Sequence, residues 1–133
     1  MMCRRHSTGQ GERGAAAVEF ALVLPVLLVL LLGIVEFGRV FNVQVSVTNA
    51  AREGARVMAI ENDPALARAA ATAAAPSVNP AIGAGNITVT PSDCDGGGTA
   101  RVTIDYPVDL LTGWFDFLPP INLTGTGVML CGG

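Results

Sequence analysis

The sequence predicts an α+β protein: a long N-terminal helix with a membrane-embedded first half, a short second helix and a small antiparallel sheet. Three observations lead there. Residues 15–35 form an apolar run broken by one carboxylate, Glu19, and one proline, Pro25. Helical spacing of apolar residues continues past this run to about Ile60, with no proline between Pro25 and Pro64. Three later stretches, 86–90, 100–108 and 121–130, alternate apolar and polar residues with the period of a strand. The expected organisation is a basic leader over 1–14, a span over 15–35, a continued helix over 36–62 and a small outer domain over 63–133.

The first element is set by length. At about 1.5 Å per residue, a helix over 15–35 rises about 30 Å, the thickness of the hydrocarbon layer. Arg4, Arg5 and Arg13 precede it and Glu36 follows it. The positive-inside rule then places the N-terminus in the cytoplasm and the C-terminal part outside. A membrane helix tolerates Pro25 with a local bend. A cleaved secretory signal fits poorly, because Gly33-Ile34-Val35-Glu36-Phe37-Gly38 lacks a small-x-small cleavage site. A lipoprotein signal fits no better, since Cys3 lies before the apolar run.

Beyond the span, Phe37, Phe41, Val45 and Thr48 share one helical stripe, with Val40, Val43, Val47, Ala51 and Ala55 beside it. Ala50 and Gly54, with Ala51, Ala55 and Ala59, form a small-residue face that lets another backbone come close. Glu36 with Arg39, and Glu53 with Arg56, are spaced as helix ion pairs worth a few tenths of a kcal/mol each. Arg52 and Arg56 read either as a solvated face or as contacts to neighbouring subunits. Glu61-Asn62-Asp63-Pro64 ends this helix, with Asp63 as N-cap of a second, Ala-rich helix over 65–75 that stops before Pro76. A loop follows over 77–85. Strands 86–90 and 100–108 form a hairpin whose turn holds Cys94, and 121–130 is a third strand ending at Cys131. Between them, Trp114-Phe115-Asp116-Phe117 reads as core or membrane-proximal packing, or as a partner-binding patch.

Composition excludes several functions. After Val35 five Arg face nine acidic residues, so no basic patch offers itself to nucleic acid. Lysine is absent and the one His, His6, lies in the leader, so no catalytic site assembles and no cofactor is implied. Asp93-Cys94-Asp95-Gly96-Gly97-Gly98 lacks the ligand series of a calcium loop, and no metal site is expected. Cys94 and Cys131, both beyond the span, read as a disulfide; two unpaired thiols are the alternative.

Gly14 followed by Ala15-Ala16-Ala17-Val18-Glu19-Phe20 resembles a type IV prepilin processing site. That stretch with Pro25, then Glu36-Phe37-Gly38-Arg39, then Asn49-Ala50-Ala51-Arg52-Glu53-Gly54-Ala55-Arg56, resembles the TadE family over residues 13–60. The resemblance implies a non-catalytic, pilin-like pseudopilin, or minor pilin, of a Tad/Flp-type pilus or secretion apparatus. It implies cleavage by a prepilin peptidase between Gly14 and Ala15, with Glu19 as fifth residue of the mature chain followed by Phe20. It implies helix packing through Glu19, Pro25, Ala50, Arg52, Gly54 and Arg56. The partners would be the membrane, other pilin subunits and the Tad assembly platform. The location would be the bacterial cytoplasmic membrane or a pilus. The alternative is an uncleaved single-pass anchor carrying an outer binding domain.

Overall fold

The computed structural model describes residues 9–110 and 119–132, with side chains from residue 13 onward. The leader residues Cys3, Arg4, Arg5 and His6, and the Trp114–Phe117 cluster, lie outside the described residues. The elements run α1 (Gly9–Glu61), α2 (Pro64–Ala73), a 3-10 turn (Ala84–Asn86), β1 (Ile87–Thr90), β2 (Thr99–Val108) and β3 (Ile121–Leu130). The fold is α+β, as the periodicities require. Helix α1 begins before the expected Ala15, because no proline interrupts the leader's end and propagation from a formed helix needs no new nucleus. Helix α2 stops at Ala73 rather than Ala75, since Pro76 disfavours helical geometry in the residue before it.

The chain divides into two units with the boundary between Glu36 and Phe37. In the first, every described side chain from Arg13 to Val35 is exposed.

In the second unit, α1 buries Val47, Ala50, Ala51, Ala55, Met58 and Ala59, spaced at three and four so that they share one face. The core also takes Ala67 and Ala71 of α2 and the inward residues of the sheet, among them Val102, Ile104, Tyr106 and Leu123. Strands β1, β2 and β3 lie in that order, all antiparallel, with Ile87 opposite Ile104 and Ile104 opposite Gly125. The outward face is polar: Thr88, Thr103 and Thr126 form one cross-strand row, and Thr124 Oγ1 donates to Asp105 Oδ1 at 2.7 Å.

Helix α1 lies along β3, and two glycines allow it. A Cβ added at Gly125 would stand 2.7 Å from the Val47 carbonyl oxygen, and one at Gly127 would overlap the Ala51 carbonyl. Gln44 Nε2 donates to the Thr124 carbonyl at 3.0 Å, and Gly132 N donates to the Ala59 carbonyl at 3.2 Å. Residues 44, 47, 51 and 59 thus meet 124, 125, 127 and 132 in the same order. Four helical residues rise about 6 Å and two strand residues about 6.8 Å, so the repeats stay nearly in step.

The small-residue face of α1 therefore finds its close neighbour within the chain. A Cβ at Gly54 would lie 3.1 Å from both the Ala67 carbonyl oxygen and the Ala71 Cβ, and 3.3 Å from Val102 Cγ1. Ala50 is fully buried. Within the chain, α2 and the sheet are the neighbours that come close to this face.

Asn62 forms the joint after α1. Its φ of 50° is the left-handed conformation that Asn tolerates at a helix end, and its N–H donates to the Met58 carbonyl at 3.1 Å. Its Nδ2 donates to Asp93 Oδ1 at 2.6 Å, while its Oδ1 accepts from Cys94 N. Asp63 caps α2 by accepting from Ala65 N at 2.7 Å and Leu66 N at 3.3 Å, as its sequence position requires. Beside this joint Cys94 and Cys131 form a disulfide, with Cα atoms 5.5 Å apart.

Tyr106 closes the core on the α2 side, its hydroxyl donating to the Pro80 carbonyl at 2.7 Å. Burial pushes its pKa above the ordinary value, Asp109 adds to the rise and Arg39 opposes it. The folded chain thus keeps this proton to higher pH than the unfolded chain. Stability from this group is complete below about pH 10 and is lost as the pH rises through the folded value. Tyr106→Phe is expected to cost about 1 kcal/mol at neutral pH and to flatten the alkaline loss. Denaturant unfolding of the detergent-solubilised chain at neutral pH and above pH 10 measures both.

Candidate membrane helix and processing junction

The first unit has no core of its own. Val18, Phe20, Leu22, Val26, Leu30 and Ile34 are each more than half exposed on an 18-residue-plus apolar helix whose most apolar window has a mean hydropathy of 2.8 and no buried residue. Exposed apolar area costs about 25 cal/mol per Å2 in water, so a helix presenting such side chains all round requires an apolar surrounding. Among the described residues one helix, near the N-terminus, is long and apolar enough to cross a membrane, and this helix is the candidate anchor.

Two features of this helix are not explained by packing. Gly14 has open space where a Cβ would stand, with nothing within 4 Å. No contact among the described residues requires glycine there, and glycine weakens a helix by roughly 0.8–1 kcal/mol relative to alanine. Glu19 is exposed one helical turn after Ala15, among apolar neighbours. A carboxylate at that depth is costly in hydrocarbon without a partner. Phe20 and Pro25 lie on the same exposed helix, Pro25 within its hydrogen-bonded ladder.

Farther along α1 the charged residues take different roles. Arg52 and Arg56 are exposed, and Arg56 Nη1 lies 3.4 Å from Glu53 Oε1, a solvated pair worth a few tenths of a kcal/mol. Arg39 Nη1 donates to the Asp109 carbonyl at 2.8 Å, fastening the end of β2 to the helix. Among the described residues no group of three or more His, Cys, Asp or Glu gathers as a metal site. Asp93, in the acidic turn, is engaged by Asn62.

The sequence reading missed Asn62, Gly125 and Gly127. Asn62 gave no signal beyond a helix break. The glycines did: Gly-x-Gly inside an alternating strand marks a close backbone approach.

The model of the family described as TadE-like protein matches from Gly14. The match extends to Arg56, so residues 14–56 are similar to that family. The match covers about a third of the chain, from Gly14 through the apolar helix to the part of α1 that lies on β3. TadE-like proteins are a structural, Tad pilus-associated family of minor-pilin type. No curated protein and no solved structure gives a significant match. The match ends at Arg56, so α2 and the sheet lie outside it.

Proposed function

We propose that this chain is a non-catalytic TadE-like pseudopilin, a minor pilin that contributes to a Tad/Flp-type pilus or secretion apparatus. The observation that carries the reading is where the match begins: at Gly14, where the basic leader gives way to the apolar run. The chain is inserted with its leader in the cytoplasm and residues 63–133 outside. A prepilin peptidase cuts between Gly14 and Ala15, and the apolar helix stays on the product. An unpacked glycine at this junction suits recognition by an enzyme, since the fold makes no use of it.

Cleavage gives Glu19 its partner. It creates an α-amine on Ala15, one turn from the Glu19 carboxylate or against Glu19 of a neighbouring subunit. Pairing offsets the cost of either charge in a low-dielectric bundle and sets the axial register of one subunit on the next. Arg52 and Arg56, exposed on α1, are available to other pilin subunits and to the assembly platform. The disulfide suits the oxidising side of the membrane.

Two variants expressed beside the assembly genes test the reading. Gly14→Ile should stay in the membrane at full length while the wild-type chain shortens. Glu19→Gln should be cut but reach the assembled fraction at a level reduced about tenfold or more, the worth of about 1.4 kcal/mol. Normal incorporation of Glu19→Gln would remove the register role, and shortening of Gly14→Ile would move the cleavage site.

A further inference from the structure

We propose that the free edge of β3, over residues 126–130, takes an added strand: an extended, uncharged segment of a partner protein that carries no helix of its own over that strand. The inference goes beyond the pilus reading and needs neither cleavage nor assembly.

The direction of the backbone groups follows from the register. Cys131 N donates to the Gly98 carbonyl at 2.9 Å, and the β2–β3 pairs include Ala100 with Met129 and Val102 with Gly127. In an antiparallel ladder alternate pairs exchange both of their bonds. The odd-numbered residues of β3 therefore turn N–H and C=O toward β2. The even-numbered ones turn theirs to the free edge, because the strand order is β1-β2-β3. Two contacts from α1 agree. Gln44 Nε2 donates to the Thr124 carbonyl at 3.0 Å, and the Ala59 carbonyl accepts from Gly132 N at 3.2 Å. Between these two points, the N–H and C=O groups of Thr126, Val128 and Leu130 have no partner among the described residues.

The sequence does not protect this edge. Free edges are blunted by shortness, charge, proline or a covering side chain. Strand β3 is ten residues long, with no charge and no proline. The opposite edge, β1, has four residues, is followed by Pro91, and its Ile87 carbonyl accepts from Arg68 Nε at 3.3 Å. Beside the open stretch of β3 lies an apolar groove of about 590 Å3, lined by Ala59 and Ile60 of α1 and by Val128, Met129 and Leu130. Ile60, Val128, Met129 and Leu130 are each at least 40% exposed.

These features specify the occupant. The unpaired backbone groups call for an extended strand, and the groove and the uncharged β3 call for apolar and β-branched side chains on it. A second copy does not fit. Paired strands lie about 4.8 Å apart, whereas packed helices need about 8–10 Å. Each copy has α1 lying on the glycine backbone of β3, so joining two β3 edges would drive two α1 helices into each other. The β1 edge of a copy is short and already engaged by Arg68. A terminal or loop segment of a partner, with no helix on its back, meets neither obstacle.

The test uses the unprocessed full chain in phosphatidylcholine nanodiscs and a fluorescein-labelled peptide of alternating threonine and valine. Binding is read by anisotropy against empty nanodiscs. No peptidase is present, so the result is separate from the cleavage reading. The wild-type chain should bind the peptide. Val128→Pro removes an edge N–H and leaves the β2–β3 bonds in place, since that N–H faces away from β2. It should weaken binding about tenfold or more, the worth of one or two backbone hydrogen bonds. Val128→Lys, a charge of the kind that guards natural edges, is the second variant and should act in the same direction. Circular dichroism and an intact disulfide by mass identify the folded variants. A peptide N-methylated at two neighbouring central amides, which blocks both of its edges, should not bind. No binding by the wild-type chain, equal binding of the methylated peptide, or equal binding by the folded variants would overturn the inference. A wild-type dimer in the nanodiscs that Val128→Pro dissolves would overturn it too, assigning the edge to a second copy.

Discussion

Gly127→Ala is expected to destabilise the second unit by about 3 kcal/mol or more, the largest effect of a single methyl added at any described glycine. The added Cβ would overlap the Ala51 carbonyl, and the adjacent Cα–C–N backbone of α1 offers no flexible side chain to move aside. Relief requires α1 to lift from β3, which uncovers Val47, Ala51 and Ala55 and breaks the bonds from Gln44 to Thr124 and from Gly132 to Ala59. A small domain has about 5–15 kcal/mol in all, so the loss is a large share. Gly85→Ala is the control, since a Cβ there meets nothing within 4 Å. Denaturant unfolding of the solubilised chain should separate the two variants widely. Equal stability would mean that α1 does not lie on β3 as described.

Removal of the disulfide is the second large effect. Cys94 and Cys131 are 37 positions apart, and the chain-entropy model gives about 4 kcal/mol for closing such a loop. The bond also holds together the place where three segments meet. Asn62 grips Asp93 and Cys94 at the end of α1, Cys131 N donates to the Gly98 carbonyl, and Gly132 returns to Ala59. The Cys94→Ser/Cys131→Ser double variant should unfold at a midpoint lower by an amount worth about 3–5 kcal/mol. Reductant should shift the wild-type midpoint toward that of the variant and leave the variant unmoved. A reductant effect equal in both chains would assign the change to some other thiol chemistry.

Elements with a local signal were legible in the sequence. The apolar run, the Asp63-Pro64 start of α2 and the three alternating strands each carry their own periodicity or cap, and each appears within a few residues of its expected place. The pairing of Cys94 with Cys131 was legible because both lie beyond the span. What was not legible depends on which surfaces meet. The small-residue face at Ala50 and Gly54 announced a close neighbour but could not name it, since α2, the sheet and another subunit would ask for the same residues. Gly125 and Gly127 answer the question from the other side: a strand with two missing side chains is the surface that can lie on a helix backbone. Asn62 was hidden for another reason. Its left-handed φ and its two side-chain bonds depend on where Asp93 and Cys94 return in space, which no local pattern encodes. At the proposed processing junction the converse holds. The sequence speaks clearly at Gly14 and Glu19, while the fold gives neither a packing role.

That contrast sets the decisive measurement. The chain should be extracted from membranes of cells that carry the assembly genes and a prepilin peptidase, and its N-terminus sequenced with the intact mass read alongside. The first residue should be Ala15, or a methylated form of it, with Glu19 in the fifth position and the apolar helix retained. A chain that still begins at Met1 in those cells would contradict the account and leave an uncleaved membrane-anchored protein in its place.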